Sequence, residues 1–431
     1  MNIEWLEDRS AADHLTTGST PSEDVSAELD HLIEQVHTAM ASSSPQSRFS
    51  WRRMYTESCI LRALVDVRAF YITSDTSFAL ASISKLDQAI VIAGAPGEGR
   101  LDLITDLINE VQSRCLARAI SRNGLVAFQT QINIAPIHPL SAASQSVIQL
   151  GVPPSLASFL SRYSKQPFVI PKYIKDWPAM NEHPWASPDY LRAVAGPGRV
   201  VPVEVGSDYR DNDWTQKLMP WDEFLDALVE GPQSKIDRSC RPVLYLAQHD
   251  LLMQFPGLRA DIEVPDYAYA SLPPPPDFPD YTPPGNEDQL VLNAWLGPMG
   301  TVSPAHTDPY FNFYAQVVGR KIVWLAPPSV SSSMYAYPPP SSSSVSATPD
   351  PPHNPAANTA NPSMSNTSQV DVFRPRTDHE HVPDAWPSFW QNVVPHAMSV
   401  TLEPGDLLFF PPGWWHAMRS EETSFSVSMW F

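Results

Sequence analysis

Two histidines and a carboxylate are the residues best placed to do chemistry. His306 and Asp308 lie two apart in Gly300-Thr-Val-Ser-Pro-Ala-His306-Thr-Asp308. On a strand, that spacing puts both side chains on one face. Downstream, Gly405-Asp-Leu-Leu-Phe-Phe-Pro-Pro-Gly-Trp-Trp-His416 supplies a second histidine at a strand end. Two imidazoles and one carboxylate form the facial set of a non-haem Fe(II) centre, which leaves three positions open for a cosubstrate and O2. A lone His-x-Asp is a weak signal, since most histidines are ordinary surface or core residues. Its place in a β-rich region, followed by a strand-turn that ends in histidine, makes it a stronger one.

The elements that must position these residues are short strands. Val200–Val205, Val243–Ala247, Leu290–Leu296, Phe311–Val318, Lys321–Leu325, Met398–Leu402, Asp406–Phe410 and Ser424–Phe431 are rich in β-branched or aromatic residues. The last alternates, with Phe425, Val427, Met429 and Phe431 on one face and Ser424, Ser426 and Ser428 on the other. Many short strands separated by turn residues predict a jelly roll or barrel. Before them, apolar stripes at i, i+3, i+4, i+7 predict a helical bundle over 24–125: Leu29, Leu32, Ile33 and Val36; then Leu61, Leu64, Val65 and Ala69; then Leu101, Leu103, Ile104, Leu107, Ile108 and Val111. The link from Gly94 to Arg100 is glycine-rich but lacks the Gly-Lys-Ser/Thr ending of a phosphate loop, so it reads as an interhelix turn.

Two insertions interrupt the strands. Residues 271–285 carry the run Pro273–Pro276 and predict a stiff polyproline-like loop. Residues 329–385 predict disorder: Ser329–Val370 is rich in Ser and Pro, with Asp350 its only charge, and has too little apolar surface to offset ordering entropy.

Composition excludes several classes. The net charge of 28 − 47 = −19 argues against direct nucleic-acid binding. Cys59, Cys115 and Cys240 are too few and scattered for a disulfide framework and fit a reducing compartment. The start MNIEWLEDRS has no apolar signal region, and no apolar run is long enough for a membrane span. The expectation is a protein of the nucleus, the cytoplasm or both, not secreted.

From about 168 to 431, insertions apart, the sequence resembles the Jumonji-C family of Fe(II)- and 2-oxoglutarate-dependent oxygenases, within it a small branch of arginyl hydroxylases and lysine demethylases. The blocks that carry the likeness are Val201-Pro-Val-Glu-Val-Gly-Ser207, Tyr245-Leu-Ala-Gln-His249, Ile262-Glu-Val-Pro-Asp-Tyr267, Gly300 to Asp308, Asn312-Phe, Gly319-Arg-Lys321 and Ser424-Phe-Ser-Val-Ser-Met-Trp430. The resemblance implies an α+β fold: a C-terminal double-stranded β-helix, or cupin-like jelly roll, over 168–431, behind a helical region over 24–160 and a flexible N-terminus, 1–23. It implies that His306, Asp308 and His416 ligate Fe(II) and carry catalysis. It implies that Lys321 holds the far carboxylate of 2-oxoglutarate, with Tyr245, Ser303 and Asn312 donating hydrogen bonds to that cosubstrate. A lysine opening an apolar strand needs an anion if it points inward; pointing outward, it would be a snorkelling edge residue. Glu204 and Trp214 fall where the arginyl-hydroxylase branch recognises its substrate, and a carboxylate plus an aromatic face suits a guanidinium. Trp295 is expected to pack beside the site.

The implied reaction is hydroxylation of a protein or peptide side chain, arginine or alternatively methyl-lysine, with 2-oxoglutarate and O2 as cosubstrates. The Glu204 and Trp214 positions favour arginine over histone lysine demethylation. A non-catalytic scaffold would be expected to lack part of the metal set or Lys321, and all four residues are present. A small-molecule cupin enzyme would have no use for a 2-oxoglutarate clamp.

Overall fold

The computed structural model describes residues 23–116, 127–128, 140–206, 208–210, 213–229, 242–338, 364–374 and 385–431. Residues 1–22 of the expected flexible N-terminus, Cys240, and the insertion's interior at 339–363 and 375–384 lie outside the described residues. The chain divides into two compact units.

Among the described residues, the N-terminal part of the first unit contains the helices α1 (Glu23–Ser42), α2 (Pro45–Thr73), α3 (Thr76–Ala93) and α4 (Arg100–Cys115). Leu29, Ile33 and Val36 of α1 and Ile104, Ile108 and Val111 of α4 are buried, as their spacing predicts. In α2 the expected stripe holds at Val65, which is buried, but not at Leu64. Leu64 is 37% exposed, and the buried face instead runs through Tyr55, Cys59 and Ala63, an i, i+4, i+8 row that leans on smaller residues. The chain leaves α3 through Gly94 at φ 71, whose amide bonds back to Ile90. The glycine-rich link is therefore a helix C-cap.

The strands lie mainly in the second unit. They are β1 (Gln145–Ser146), β2 (Ile148–Gln149), β3 (Phe168–Ile170), β4 (Val200–Val205), β5 (Thr215–Pro220), β6 (Leu244–His249) and β7 (Val291–Gly297). There follow β8 (Val302–Thr307), β9 (Asn312–Val318), β10 (Lys321–Ala326), β11 (Met398–Leu402), β12 (Leu407–Phe410), β13 (Trp415–Ser420) and β14 (Ser424–Trp430). One sheet has the order β1-β11-β10-β13-β8, and the other β2-β3-β12-β9-β14-β7-β6-β4-β5. Val323, Leu325, Leu402 and Met418 of the first sheet pack with Val169, Tyr314, Leu408 and Phe410 of the second, the face-to-face arrangement of a jelly roll. The helical expectation for 24–160 fails at β1 and β2. These pairs of residues extend the two sheets by pairing parallel to β11 and β3.

β9 and β10 belong to opposite sheets yet are joined by Gly319-Arg320 alone. Gly319 has φ 67, and a Cβ there would lie 2.1 Å from the Thr423 carbonyl oxygen. Only glycine fits so tight a crossing, and the crossing fixes which way Lys321 faces.

The disorder expected for 329–385 does not hold at either end. Pro328–Ser333 is a short 3-10 helix, and Val330, Met334, Val370, Val372 and Phe373 are buried in a cluster behind β10 and β13. Thr367 pairs antiparallel with His306, the Ser368 amide donates to Ala305 and the Thr307 amide to Asn366. The returning end of the insertion thus covers the open edge of β8, a service edge strands commonly need. Few apolar residues suffice here because they are concentrated in the stems. The 271–285 loop has no helix or strand. It is not uniformly extended either: turns close from Phe278 to Pro275 and from Tyr281 to Phe278.

Phe373→Ala is expected to cost about 2–4 kcal/mol by urea unfolding. Replacing residues 341–362 with a short Gly/Ser linker should cost less than about 1 kcal/mol. Equal losses would contradict the division into packed stems and a Ser/Pro-rich middle.

Candidate metal and cosubstrate site

Antiparallel pairing of β13 with β8 sets His416 directly opposite His306. Their rings lie 4.2 Å apart by centroids. Asp308 follows the end of β8, with its carboxylate oxygens 3.9 Å from His306 Nε2 and 3.4 Å from His416 Nε2. One ligand atom from each residue falls within 4.8 Å of the others, so the three can hold one metal ion. The donor set fits such an ion in a further respect. His306 Nδ1 lies 2.8 Å from the Pro304 carbonyl oxygen, and His416 Nδ1 lies 3.0 Å from that of Trp414. A carbonyl only accepts, so each Nδ1 carries the proton and each Nε2 lone pair is left for the metal.

Electrostatics favour the ligating forms. Burial, aided by His416, pushes His306 down to about 4, against the opposing pull of Asp308. Its imidazole is neutral near pH 7. Burial alone would raise the Asp308 carboxyl, but the adjacent polar rings of His416 and His306 hold it below the usual carboxylate range. A neutral imidazole and an ionised carboxylate are what a divalent cation requires.

The pairing of β8 with β13 shifts register between His416 and Met418, so that Ser303 opposes Met418. The extra residue in β8 is a bulge. Ser303 and His306 are an odd number apart and would face opposite ways on a regular strand. Across the bulge both reach the barrel interior, where Ser303 bonds to the Tyr245 hydroxyl.

Lys321 is 1% exposed. Its Nζ donates to the Tyr314 hydroxyl at 2.7 Å and to Tyr245 at 3.4 Å. Among the described residues no carboxylate pairs with it, and burial pushes it down to about 7. A buried ammonium with only phenols for company suits an incoming carboxylate. Asn312 is buried with its Oδ1 unpaired, and Asn293 Nδ2 and Trp430 Nε1 are likewise without partners. Asn312 is opposite Trp430, and Asn293 is opposite Ser428. Buried polar atoms of this kind call for a ligand or ordered water.

Glu204 sits directly across from Tyr245 in the β4–β6 pairing. Trp214 Nε1 donates to Glu204 Oε2 at 3.3 Å. Burial raises the Glu204 carboxyl, against hydrogen bonds from Trp214 and Gln216. Trp295 donates to Ser428 Oγ at 3.0 Å, with its ring 6.2 Å from that of Tyr245.

All nine predicted residues are thus accounted for. His306, Asp308 and His416 converge; Lys321, Tyr245 and Ser303 form a hydrogen-bonded group; Asn312 lines β9; and Glu204 and Trp214 make a pair beside Tyr245. Tyr314 was missed. Its signal was the period-two step from Asn312, which places both on one face. The serine face of β14 was missed as a site wall as well. All seven β14 residues are buried, and Ser426 and Ser424 bond to Gln316 on the interior side.

Residues 158–431 match the cupin-like domain family. A Danio rerio protein named lysine-specific demethylase 8 is 33% identical over 384 residues, 88% of this chain and 81% of the relative. The Drosophila melanogaster Jumonji C domain-containing protein 5 is 31% identical over 441 residues, 98% of this chain and 91% of that one. The Arabidopsis thaliana lysine-specific demethylase JMJ30 is 35% identical over 279 residues, 64% of this chain and 53% of that one. The chain belongs to the Jumonji-C family. Members of that family are Fe(II)- and 2-oxoglutarate-dependent; this chain is a 2-oxoglutarate-dependent dioxygenase, and its His306, Asp308 and His416 could hold a metal ion. No helix among the described residues is long and apolar enough to cross a membrane.

Asp308→Ala should lower Mn(II) affinity, measured by titration calorimetry, by at least about 100-fold, since it removes a ligand and its charge. Its far-ultraviolet circular dichroism should match the parent. Unchanged Mn(II) affinity would place the metal elsewhere.

Proposed function

We propose that this Jumonji-C dioxygenase hydroxylates an arginine side chain of a protein substrate. The observation that carries the reading is the Glu204–Trp214 pair, set across a strand pairing from Tyr245. In this reading His306, Asp308 and His416 hold Fe(II), which, with O2 and 2-oxoglutarate, supplies the oxidising power for inserting one oxygen into a substrate C–H bond; succinate and CO2 are the other products. Lys321 binds the far carboxylate of 2-oxoglutarate. Tyr245, Ser303 and Asn312 orient that cosubstrate, and Tyr314 keeps the Lys321 ammonium in place. Glu204 pairs with the guanidinium while the Trp214 ring lies against its face. The apolar interior around Val323, Leu325 and Phe410 excludes water from the reacting atoms.

Methyl-lysine demethylation by the same site is the second reading, favoured by the names of the Danio rerio and Arabidopsis thaliana relatives. An ammonium carrying methyl groups offers fewer N–H bonds than a guanidinium, so a carboxylate hydrogen-bonded to an indole suits it less well. The protein would work in the nucleus, the cytoplasm or both.

Mass spectrometry of arginine and methyl-lysine peptides after turnover distinguishes the readings. A gain of one oxygen on the arginine peptide is expected, whereas loss of a methyl group from the lysine peptide alone would overturn the arginine reading. Glu204→Gln should reduce arginine hydroxylation by at least about tenfold, since a charged hydrogen bond is worth roughly 1.5–3 kcal/mol. It should change 2-oxoglutarate affinity by less than about twofold. Equal loss of both would put Glu204 in the cosubstrate pocket.

A further inference from the structure

The returning end of the Ser/Pro insertion does more than cover an edge. Thr367 is buried and lies opposite His306, the first metal-site residue. Its Oγ1 is 3.3 Å from the hydroxyl of Tyr209. Tyr209 belongs to the connection between β4 and β5, so it lies between Glu204 and Trp214 in sequence. The residues on both sides of it are pinned. Asp208 takes a two-pronged ion pair from Arg210, and Arg210 also donates to the Ser368 carbonyl oxygen at 3.2 Å. The connection between the two expected recognition residues is thus fastened, through Tyr209 and Arg210, to the insertion's stem beside the metal centre.

We propose that Tyr209 is a third substrate-recognition residue, whose hydroxyl oxygen accepts an N–H of the substrate guanidinium, and that Thr367 is the positioning residue that holds it. This rests on the arginine-hydroxylase reading above. Whichever hydroxyl donates in that bond, the phenol oxygen keeps a lone pair free, and a guanidinium has more N–H groups than Glu204 alone can satisfy. The hydroxyl is near enough to Asp308 to sense its charge. Burial is the main cause that raises the phenol to about 12, with the Thr367 bond opposing and the carboxylates of Asp208 and Asp308 adding to the rise. It therefore stays protonated and neutral, a hydrogen-bonding group and not a base. Ordinary packing of a tyrosine does not explain why its hydroxyl is met by a buried threonine from a segment otherwise poor in structure-forming residues.

The test is steady-state kinetics of the Fe(II)-loaded full chain with an arginine peptide. Tyr209→Phe should raise the peptide KM about tenfold, at least five times more than it raises the 2-oxoglutarate dissociation constant measured with Mn(II). Thr367→Val should raise the peptide KM in the same sense by about threefold, and Thr367→Ser, which restores the hydroxyl, should return it to the parent value. A parent-like peptide KM in Tyr209→Phe, or a Thr367→Ser variant no better than Thr367→Val, would overturn the proposal. A parent enzyme that no arginine peptide stimulates would overturn the arginine reading itself, and this role with it.

Discussion

The site is organised around a lysine ammonium inside an apolar barrel. Lys321 is buried and faces two phenols, with no carboxylate to pair with it among the described residues. Burying a cation without an anion is costly, and the usual responses are to lose the proton or to find a partner. Here burial pushes the lysine down to about 7, so the protein holds a group on the edge of discharge. A ligand that brings a carboxylate removes the penalty. In the proposed function that cost is offset by the far carboxylate of 2-oxoglutarate, which Lys321 would hold. The wall around it follows the same need: Tyr245, Ser303, Tyr314 and the serine face of β14 are polar where a jelly-roll core would ordinarily be aliphatic.

The metal centre depends on a different constraint, which is strand register. His306 and His416 meet because β8 and β13 pair in one register, and a slip of one residue would turn one imidazole out of the barrel. The bulge in β8 then brings Ser303 to the same interior as His306, and the carbonyl of Pro304, inside that bulge, orients the imidazole. One irregularity thus places both Ser303, proposed to face the cosubstrate, and His306, which could ligate a metal. The edge of β8 is secured by Asn366, Thr367 and Ser368, so the insertion's stem helps hold the register on which the centre depends.

Much of this was legible in the sequence where side-chain period and strand period agree. The β-branched run at Lys321–Leu325 and the alternation from Ser424 to Phe431 mark strands the fold contains, whereas β8 and β13, which carry the two histidines, are absent from the predicted strands, and Asp308 lies just past the end of β8. The facing of Ser303 was not legible from spacing, because a bulge cancels the period-two rule. Leu64 misled because α2 buries its face through Tyr55, Cys59 and Ala63, a choice made by neighbouring helices and not by hydrophobicity alone. The stems of the insertion were hidden by composition averaged over 329–385. Val370, Val372 and Phe373 are only three residues, but they sit together and reach one cluster. Tyr314 was hidden in the opposite way, because a tyrosine in a β9 run of apolar residues looks like core until Lys321 is placed beside it.

The most direct measurement is thermal unfolding of the Mn(II)-loaded chain and its Lys321→Met variant, each with and without 2-oxoglutarate. Methionine has nearly the same volume without the charge, and replacing a buried charge by an apolar group is often neutral or stabilising. The expected result is a variant at least as stable as the parent without 2-oxoglutarate, and insensitive to it, while the parent gains several degrees through ligand linkage. A variant that unfolds earlier than the parent yet still gains the same increment from 2-oxoglutarate would contradict Lys321 as the anchor of that site.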